Sequence, residues 1–319
     1  ETMSSKVEKL LLCGRSGLSV GDQPASHPIH FSAPSEVQKW LRNGYVDFAE
    51  LFRGYGELTI QIREAGLTAS DGFDKYAITY ERCWCLDQKA DQRDCAWLLV
   101  YSLRPFVVHL GTPCTKMCQL GKGVLDAATI AQNEFTRIVL SHQHLKGCGG
   151  SVENPKGSSL FHLNNQVGKN KGLSSLIGCL EEPKPGWHFY RSEGCQFRVC
   201  YPGRDDPGRP IQKACLWVAN FDLSGLELRC RKPAALLPAG HEHRQARGTM
   251  YVPGEGSKSV AAYTGRYTSE QGAVYGKACR AFCEGRVRPK LSLIHISDPT
   301  RPRLSSYAVL WVKKNGFGG

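Results

Sequence analysis

Apolar positions along the chain fall into short runs separated by polar, glycine-rich turns, and their spacing switches between the strand and helix periods. Asp47–Phe52 reads as a strand ending in a Gly54-x-Gly56 turn, after which Leu58, Ile62 and Ala65 recur at helical spacing over Leu58–Ala65. Thr68–Phe73 is expected as a strand, Tyr76–Cys85 as a helix and Asp94–Leu103 as another helix. Pro105–Leu110 is a continuous apolar run of the kind a strand covered on both faces requires. Residues 126–145 carry a helical pattern, and Gly150–Val152 is a short strand entering Glu153-Asn154-Pro155. Gln196–Tyr201 and Ala214–Phe221 read as later strands. Strands alternating with helices predict an α/β fold with a doubly wound, mostly parallel sheet of Rossmann-like type, followed by a small basic C-terminal subdomain. Such sheets bind ligands beyond the carboxyl ends of their strands, so the loops after Phe52, Leu110 and Val152 should face one crevice.

The pattern divides the chain. Residues 1–43 are rich in Gly, Ser and Pro apart from a short helix expected over Ser35–Leu41, and read as an irregular leader or interdomain segment. Residues 44–222 read as a catalytic domain and 223–290 as a small basic target-binding or closing region. Residues 291–319 break the pattern and resemble a translated sequencing adapter, an artefact expected to be disordered. The opening Glu1-Thr2-Met3 has no signal-peptide character and reads as a fragment start. No run approaches the ~18 apolar residues that a membrane-spanning helix needs.

Each crevice loop offers chemistry. In Glu50-Leu51-Phe52-Arg53-Gly54-Tyr55-Gly56 the glycines let backbone approach a ligand and open a helix. Asp71-Gly72-Phe73-Asp74 ends the next strand, where an acid can accept from ribose hydroxyls and an aromatic can stack on adenine. Together these loops point to an adenosine-bearing cofactor. His109-Leu110-Gly111-Thr112-Pro113-Cys114 delivers a thiol at a strand's carboxyl end, entering a helix that would favour its thiolate. Glu153 arrives from the next strand. A thiol and a carboxylic acid in one crevice suit addition to an unsaturated heterocycle, with the acid protonating or hydrogen-bonding a ring nitrogen.

Charge sharpens the expected partner. The chain carries a net +12, yet residues 44–180 hold 14 basic and 13 acidic side chains, whereas residues 181–290 hold 18 and 11. A basic second half beside a neutral first half suits chemistry in one and polyanion binding in the other. Arg209, Arg231, Lys232, Arg244 and Arg247 are the expected phosphate contacts. Trp187, Phe189 and Tyr190 are expected to pack in the core. Fourteen cysteines contain no C-x-x-C pair, only spacings such as Cys83-x-Cys85 and Cys195-x4-Cys200, so reduced, packed thiols are expected rather than disulfides or zinc. His241-x-His243 lacks an accompanying acid or cysteine pair, and no metal site is expected.

The loops quoted above, taken in order with Pro113-Cys114 and Glu153-Asn154, resemble the DNA (cytosine-5) methyltransferases over roughly residues 47–222. The resemblance implies S-adenosylmethionine held by Phe52, Gly54, Gly56, Phe73 and one of the acids Asp71 and Asp74. It implies Cys114 attacking carbon 6 of a cytosine flipped from duplex DNA while Glu153 contacts ring nitrogen 3 and the amino group. Pro113 and Asn154 would shape the two loops. The sequence departs from the family in four places. Gly72 stands where the ribose-binding glutamate is expected. The strand Ile211–Trp217 has Ala214 and Leu216 at its two arginine positions, leaving Lys213 or Arg209 to supply positive charge to the cytosine carbonyl. Ala273 replaces the asparagine of the final Gly-Asn motif after Glu270-Gln271-Gly272. The stretch from Asn220 to Arg266 is short for a target-recognition domain. These departures keep a second expectation open: a catalytically inactive module binding nucleic acid or cofactor, as part of a mobile-element polyprotein. A monomer without membrane attachment is expected, nuclear in a eukaryote and otherwise cytoplasmic, and not secreted.

Overall fold

A computed structural model describes residues 46–80, 82–117, 125–161, 173–201, 208–230, 242–252 and 256–285. Its centre is a five-stranded sheet made of β1 (Phe48–Leu51), β2 (Val107–Leu110), β3 (Gly149–Pro155), β4 (His188–Glu193) and β6 (Ala214–Ala219), in the order β1-β2-β3-β6-β4. The first three strands are parallel, and β6 runs antiparallel to both β3 and β4. Four of the five strands therefore share one direction, the mostly parallel sheet of the expected α/β class. β5 (Ile211–Gln212) precedes β6 and pairs with β7 (Arg244–Gln245), while β8 (Thr249–Val252) and β9 (Gly256–Ser259) form a hairpin.

Two apolar layers cover the sheet, as a doubly wound arrangement requires. One face packs on α2 (Lys89–Trp97), its π-helical continuation Leu98–Leu103, and α3 (Ala127–Leu145), through residues such as Leu98, Phe135 and Leu140. A short helix α4 (Ser174–Ile177) adds Ile177 to this layer. The opposite face packs on α1 (Glu57–Glu64) and α6 (Ser269–Glu284) through Leu58, Ile62, Tyr275 and Cys279. α3 starts where the Asp126 carboxylate caps Thr129 N at 2.8 Å, and α6 where Thr268 Oγ1 accepts from Gln271 N at 3.2 Å. A third, smaller core joins Tyr201, Ile211, Met250, Val252 and Val260, the last opening α5 (Val260–Tyr263).

Several elements differ from the sequence expectation. Tyr76–Cys85 is irregular: Tyr80 sits at φ 51°, Thr79 bridges Arg82, and Ile78 is 77% exposed. Tyr80 and Trp84 have helical spacing because both rings pack on Phe73, not because they share a helix face. Thr68–Phe73 pairs with β1 only at Ala69 and Phe73. The helix expected over Asp94–Leu103 starts earlier, at Lys89. Gln196–Tyr201 is not a strand; a 3-10 turn spans Gly194–Phe197, Arg198 takes φ 57°, and only Cys200 is bridged. The strand lies just upstream instead, as β4, where Tyr190 is buried, with Trp187 buried immediately before it. Among the described residues, the link from β4 to β6 holds a 3-10 turn and β5, and β6 runs antiparallel beside β4. The expected helix over Ser35–Leu41 and the segment 291–319 lie outside the described residues.

Candidate active site

The glycine turn after β1 is held by two carboxylates. Glu50, on β1, accepts from Thr59 N at 3.1 Å and Thr59 Oγ1 at 2.5 Å, satisfying the first turn of α1 from across the turn. Burial raises its pKa to about 7, although the Thr59 bonds pull the other way. Asp74 accepts from Gly54 N at 2.9 Å through Oδ2 and from Tyr76 N at 2.8 Å through Oδ1. Arg53 threads between Gly56 and Gly72. A Cβ at residue 72 would lie 2.7 Å from Arg53 Cδ, and one at residue 56 would lie 2.2 Å from Arg53 Nε. Gly72, at φ 77°, leaves no room for a side chain, since a Cβ there would also lie 3.0 Å from the Glu50 carbonyl oxygen.

The loop after β2 and the end of β3 are tied together. Asn154 Nδ2 donates to Thr112 O at 2.7 Å and to Glu153 O at 2.8 Å, two residues before Cys114. Cys114 opens a turn closed by Met117 N to Cys114 O at 2.9 Å, and residues 118–124, where the expected helix would continue, lie outside the described residues. Positive charge comes from the side. Lys213 lies between β5 and β6, donates to Thr264 O at 2.7 Å and interacts electrostatically with Cys215, Glu153 and Cys114. Burial disfavours its ammonium, but those neighbours outweigh it, and its pKa is raised.

Strand alternation decides which side chains near the start of β6 face Glu153. Glu153 is in register with Trp217 and Pro155 with Cys215, so Lys213, Cys215 and Trp217 share the Glu153 face. Leu216 and Val218 point into the opposite core. Side chains at 214 and 216 face away from Glu153, so the site-facing positions are Lys213 and Cys215.

The same face carries a row of polar residues in otherwise apolar strands, with Glu50, His109 and Ser151 in mutual register. Tyr267 OH donates to Glu153 Oε2 at 3.2 Å and stands 3.0 Å from His109 Nε2. His109 Nδ1 lies 2.9 Å from Ser151 Oγ, which lies 2.7 Å from Tyr275 OH. Because the Tyr267 proton is committed to Glu153, His109 Nε2–H donates to Tyr267 and Nδ1 accepts from Ser151. Ser151 in turn accepts from Tyr275. Every hydrogen of this chain points toward Glu153. Burial lowers the His109 pKa to about 3, so the imidazole is neutral, as that arrangement needs. Burial likewise lifts both tyrosines well above the ordinary phenol range.

These loops open onto one cavity of about 1340 Å³. Of the expected site residues it is lined by Phe52, Gly54, Gly56, Asp74, Pro113, Cys114, Glu153, Asn154, Lys213 and Arg247. Others fall elsewhere. Asp71 is a surface residue paired with Arg63 at 2.7 Å, so of the two candidate acids only Asp74 reaches the cavity. Phe73 is wholly buried against Trp84, and it is Trp84 that lines the cavity, beside Leu86 and Asp87. Arg209 pairs with Glu242 at 2.6 Å, and Arg244 stacks on Tyr201 at 3.6 Å; neither lines the cavity. Arg231 and Lys232 lie outside the described residues. Lys258 and Arg266, not singled out by the sequence, join the wall, and Arg266 stacks on Tyr55 of the glycine turn at 3.6 Å. Among the buried polar atoms of the wall, Arg53 Nε, Asp87 Oδ1 and Asn154 Oδ1 have no hydrogen-bond partner among the described residues.

No protein-family model matches the chain, and no curated protein matches it. Among solved structures, that of the S. pombe Dnmt2 methyltransferase aligns over 60% of this chain at 12% identity with a TM-score of 0.33. The alignment spans 57% of that protein's length.

Proposed function

We propose that the chain is an S-adenosylmethionine-dependent methyltransferase that modifies carbon 5 of a cytosine flipped out of double-stranded DNA. One observation carries this reading: Cys114 and Glu153, from adjacent strand ends locked by Asn154, line the same cavity as the glycine turn. The cavity exceeds the ~300–1,000 Å³ of an ordinary small-molecule site, leaving room for a base beside a cofactor.

The residues present fit the cofactor. Asp87 Oδ1 is an acceptor in need of a donor such as an adenine amino group, and Arg53 Nε is a donor in need of an acceptor such as a carboxylate. S-adenosylmethionine carries both groups. Trp84 and Leu86 supply the apolar wall for its ring, and Gly54 offers open space where a Cβ would stand. When bound, it supplies an electrophilic methyl group.

Cys114 Sγ, its thiolate favoured by the Lys213 ammonium, adds to carbon 6 of the base. Ring nitrogen 3 takes up a proton as the sulfur adds, and its N–H donates to Glu153 Oε1, because Oε2 is held by Tyr267. Electron density displaced by the sulfur collects at carbon 5, which becomes nucleophilic. Carbon 5 then bonds to the methyl group that the cofactor would supply and becomes tetrahedral; loss of its proton to a base, with breaking of the S–C6 bond, restores the ring double bond and the thiolate. Lys213 faces the base carbonyl. Arg247 and Lys258 on the cavity wall offer contacts for phosphates flanking the flipped nucleotide.

A second reading, an inactive module that binds without turnover, is favoured by Cys215, which puts a thiol at the next site-facing position of β6 after Lys213. Incubation with duplex DNA and methyl-labelled S-adenosylmethionine separates the two. The enzyme yields 5-methylcytosine on nucleoside analysis, and Cys114→Ala abolishes it; a folded wild-type chain yielding none supports the module.

A further inference from the structure

Away from the cavity, three potential metal ligands from distant parts of the chain converge: Cys195, Cys230 and His243. Cys195 is buried in the 3-10 turn Gly194–Phe197 that follows β4. Cys230 follows by two residues Leu228, whose carbonyl accepts from Glu193 N of β4 at 2.9 Å, and His243 immediately precedes β7. We propose that these three side chains form a Zn²⁺ site, with water in the fourth position, that clamps the β5/β7 pair to the end of β4.

The geometry is that of a tetrahedral edge. Zn–S of about 2.3 Å and Zn–N of about 2.05 Å put sulfur and nitrogen ligands about 3.5 Å apart, and two sulfurs about 3.8 Å apart. Cys230 Sγ and His243 Nε2 stand 3.5 Å apart, and all three ligand atoms lie within 4.8 Å of one another. The Cys195 and Cys230 thiols also hydrogen-bond each other. Two sulfurs and an imidazole are a soft to borderline set that selects Zn²⁺ over oxygen-seeking Mg²⁺ or Ca²⁺. Binding replaces the two thiol protons with metal–sulfur bonds and releases them to solvent.

The position suggests what the ion does. β5 runs straight into Lys213, and β7 carries Gln245 and runs into Ala246 and Arg247, all on the cavity wall. Arg244 N to Pro210 O at 2.9 Å and Gly194 N to Lys213 O at 2.7 Å already join these segments. A metal at their shared end fixes one wall of the cavity from behind.

The test uses the full chain purified under reducing conditions. Elemental analysis should find about one zinc per chain, and cobalt exchange should give a sulfur-to-metal charge-transfer band with intense tetrahedral visible bands. Cys230→Ser and His243→Ala should each lower zinc affinity at least about 10-fold and alter the cobalt spectrum, with circular dichroism confirming the fold. Cys83→Ser, at an exposed thiol, should leave both unchanged. A reduced wild-type chain that takes up no zinc, zinc binding unaltered in both ligand variants, or a Cys195–Cys230 disulfide in its place would each overturn the proposal.

Discussion

The side-chain amide of Asn154 donates to the Thr112 carbonyl at 2.7 Å, joining the carboxyl end of β3 to the loop that carries Cys114. Glu153 and Cys114 are thereby positioned by one bond between their neighbours. Reactions that depend on two groups meeting one substrate are sensitive to displacements of about 1 Å. Asn154→Ala should therefore lower kcat for methyl transfer by about 100-fold while the protein stays folded. Steady-state kinetics beside a thermal melt check this.

Tyr267→Phe removes the hydroxyl that links His109 Nε2 to Glu153 Oε2. The buried Nε2–H loses its acceptor, which should lower stability by about 1–3 kcal/mol in urea unfolding. Glu153 loses a donor at the same time, so kcat should fall with little change in KM for DNA. Equal effects on both constants would argue for a purely structural role.

Glu50 should leave a signature in the pH dependence of stability. Its folded pKa is raised from 4.5 to about 7, so between those values the folded state keeps a proton that the unfolded state has lost. Its contribution therefore falls as pH rises through that window and is flat above it, a change of roughly 3 kcal/mol. His109 works in the opposite sense. Its pKa is lowered from 6.5 to about 3, so its contribution is lost as pH falls through that range. Urea unfolding of wild type and Glu50→Gln across the series isolates the first effect. The variant should gain stability relative to wild type from pH 4.5 to 7, and a constant difference would contradict the assignment.

Gly272 marks where α6 crosses α1. A Cβ there would lie 2.7 Å from Gln61 Cγ and 3.1 Å from Gln61 Cβ, atoms close to the α1 backbone. Gly272→Ala should lower stability by about 1–3 kcal/mol. Gly157→Ala, with open space around its Cβ, should be nearly neutral in the same thermal melts.

What the sequence revealed, and what it hid, follows from the range of each interaction. β1, β2, α3 and β6 were legible because each keeps a single period, with only Glu50 and His109 breaking the apolar runs of β1 and β2. Cys114 and Glu153 could be paired because parallel strand order alone brings consecutive strand ends together. Tyr76–Cys85 misled because Tyr80 and Trp84 repeat at helical spacing while stacking on Phe73. His109 left a trace as the one polar residue in an apolar run, but its partner Tyr267 is 158 residues away. The convergence of Cys195, Cys230 and His243 likewise depends on tertiary contacts, since their spacing matches no short ligand motif.

Covalent capture tests the central claim most directly. Duplex DNA carrying 5-fluorocytosine, offered with S-adenosylmethionine, cannot release a proton from carbon 5, so a sulfur bonded to carbon 6 stays there. Wild-type chain should form a one-to-one protein–DNA complex that survives denaturation, and Cys114→Ser should form none. A folded wild-type chain that binds this DNA without a covalent adduct, or an adduct that persists in Cys114→Ser, would contradict the account.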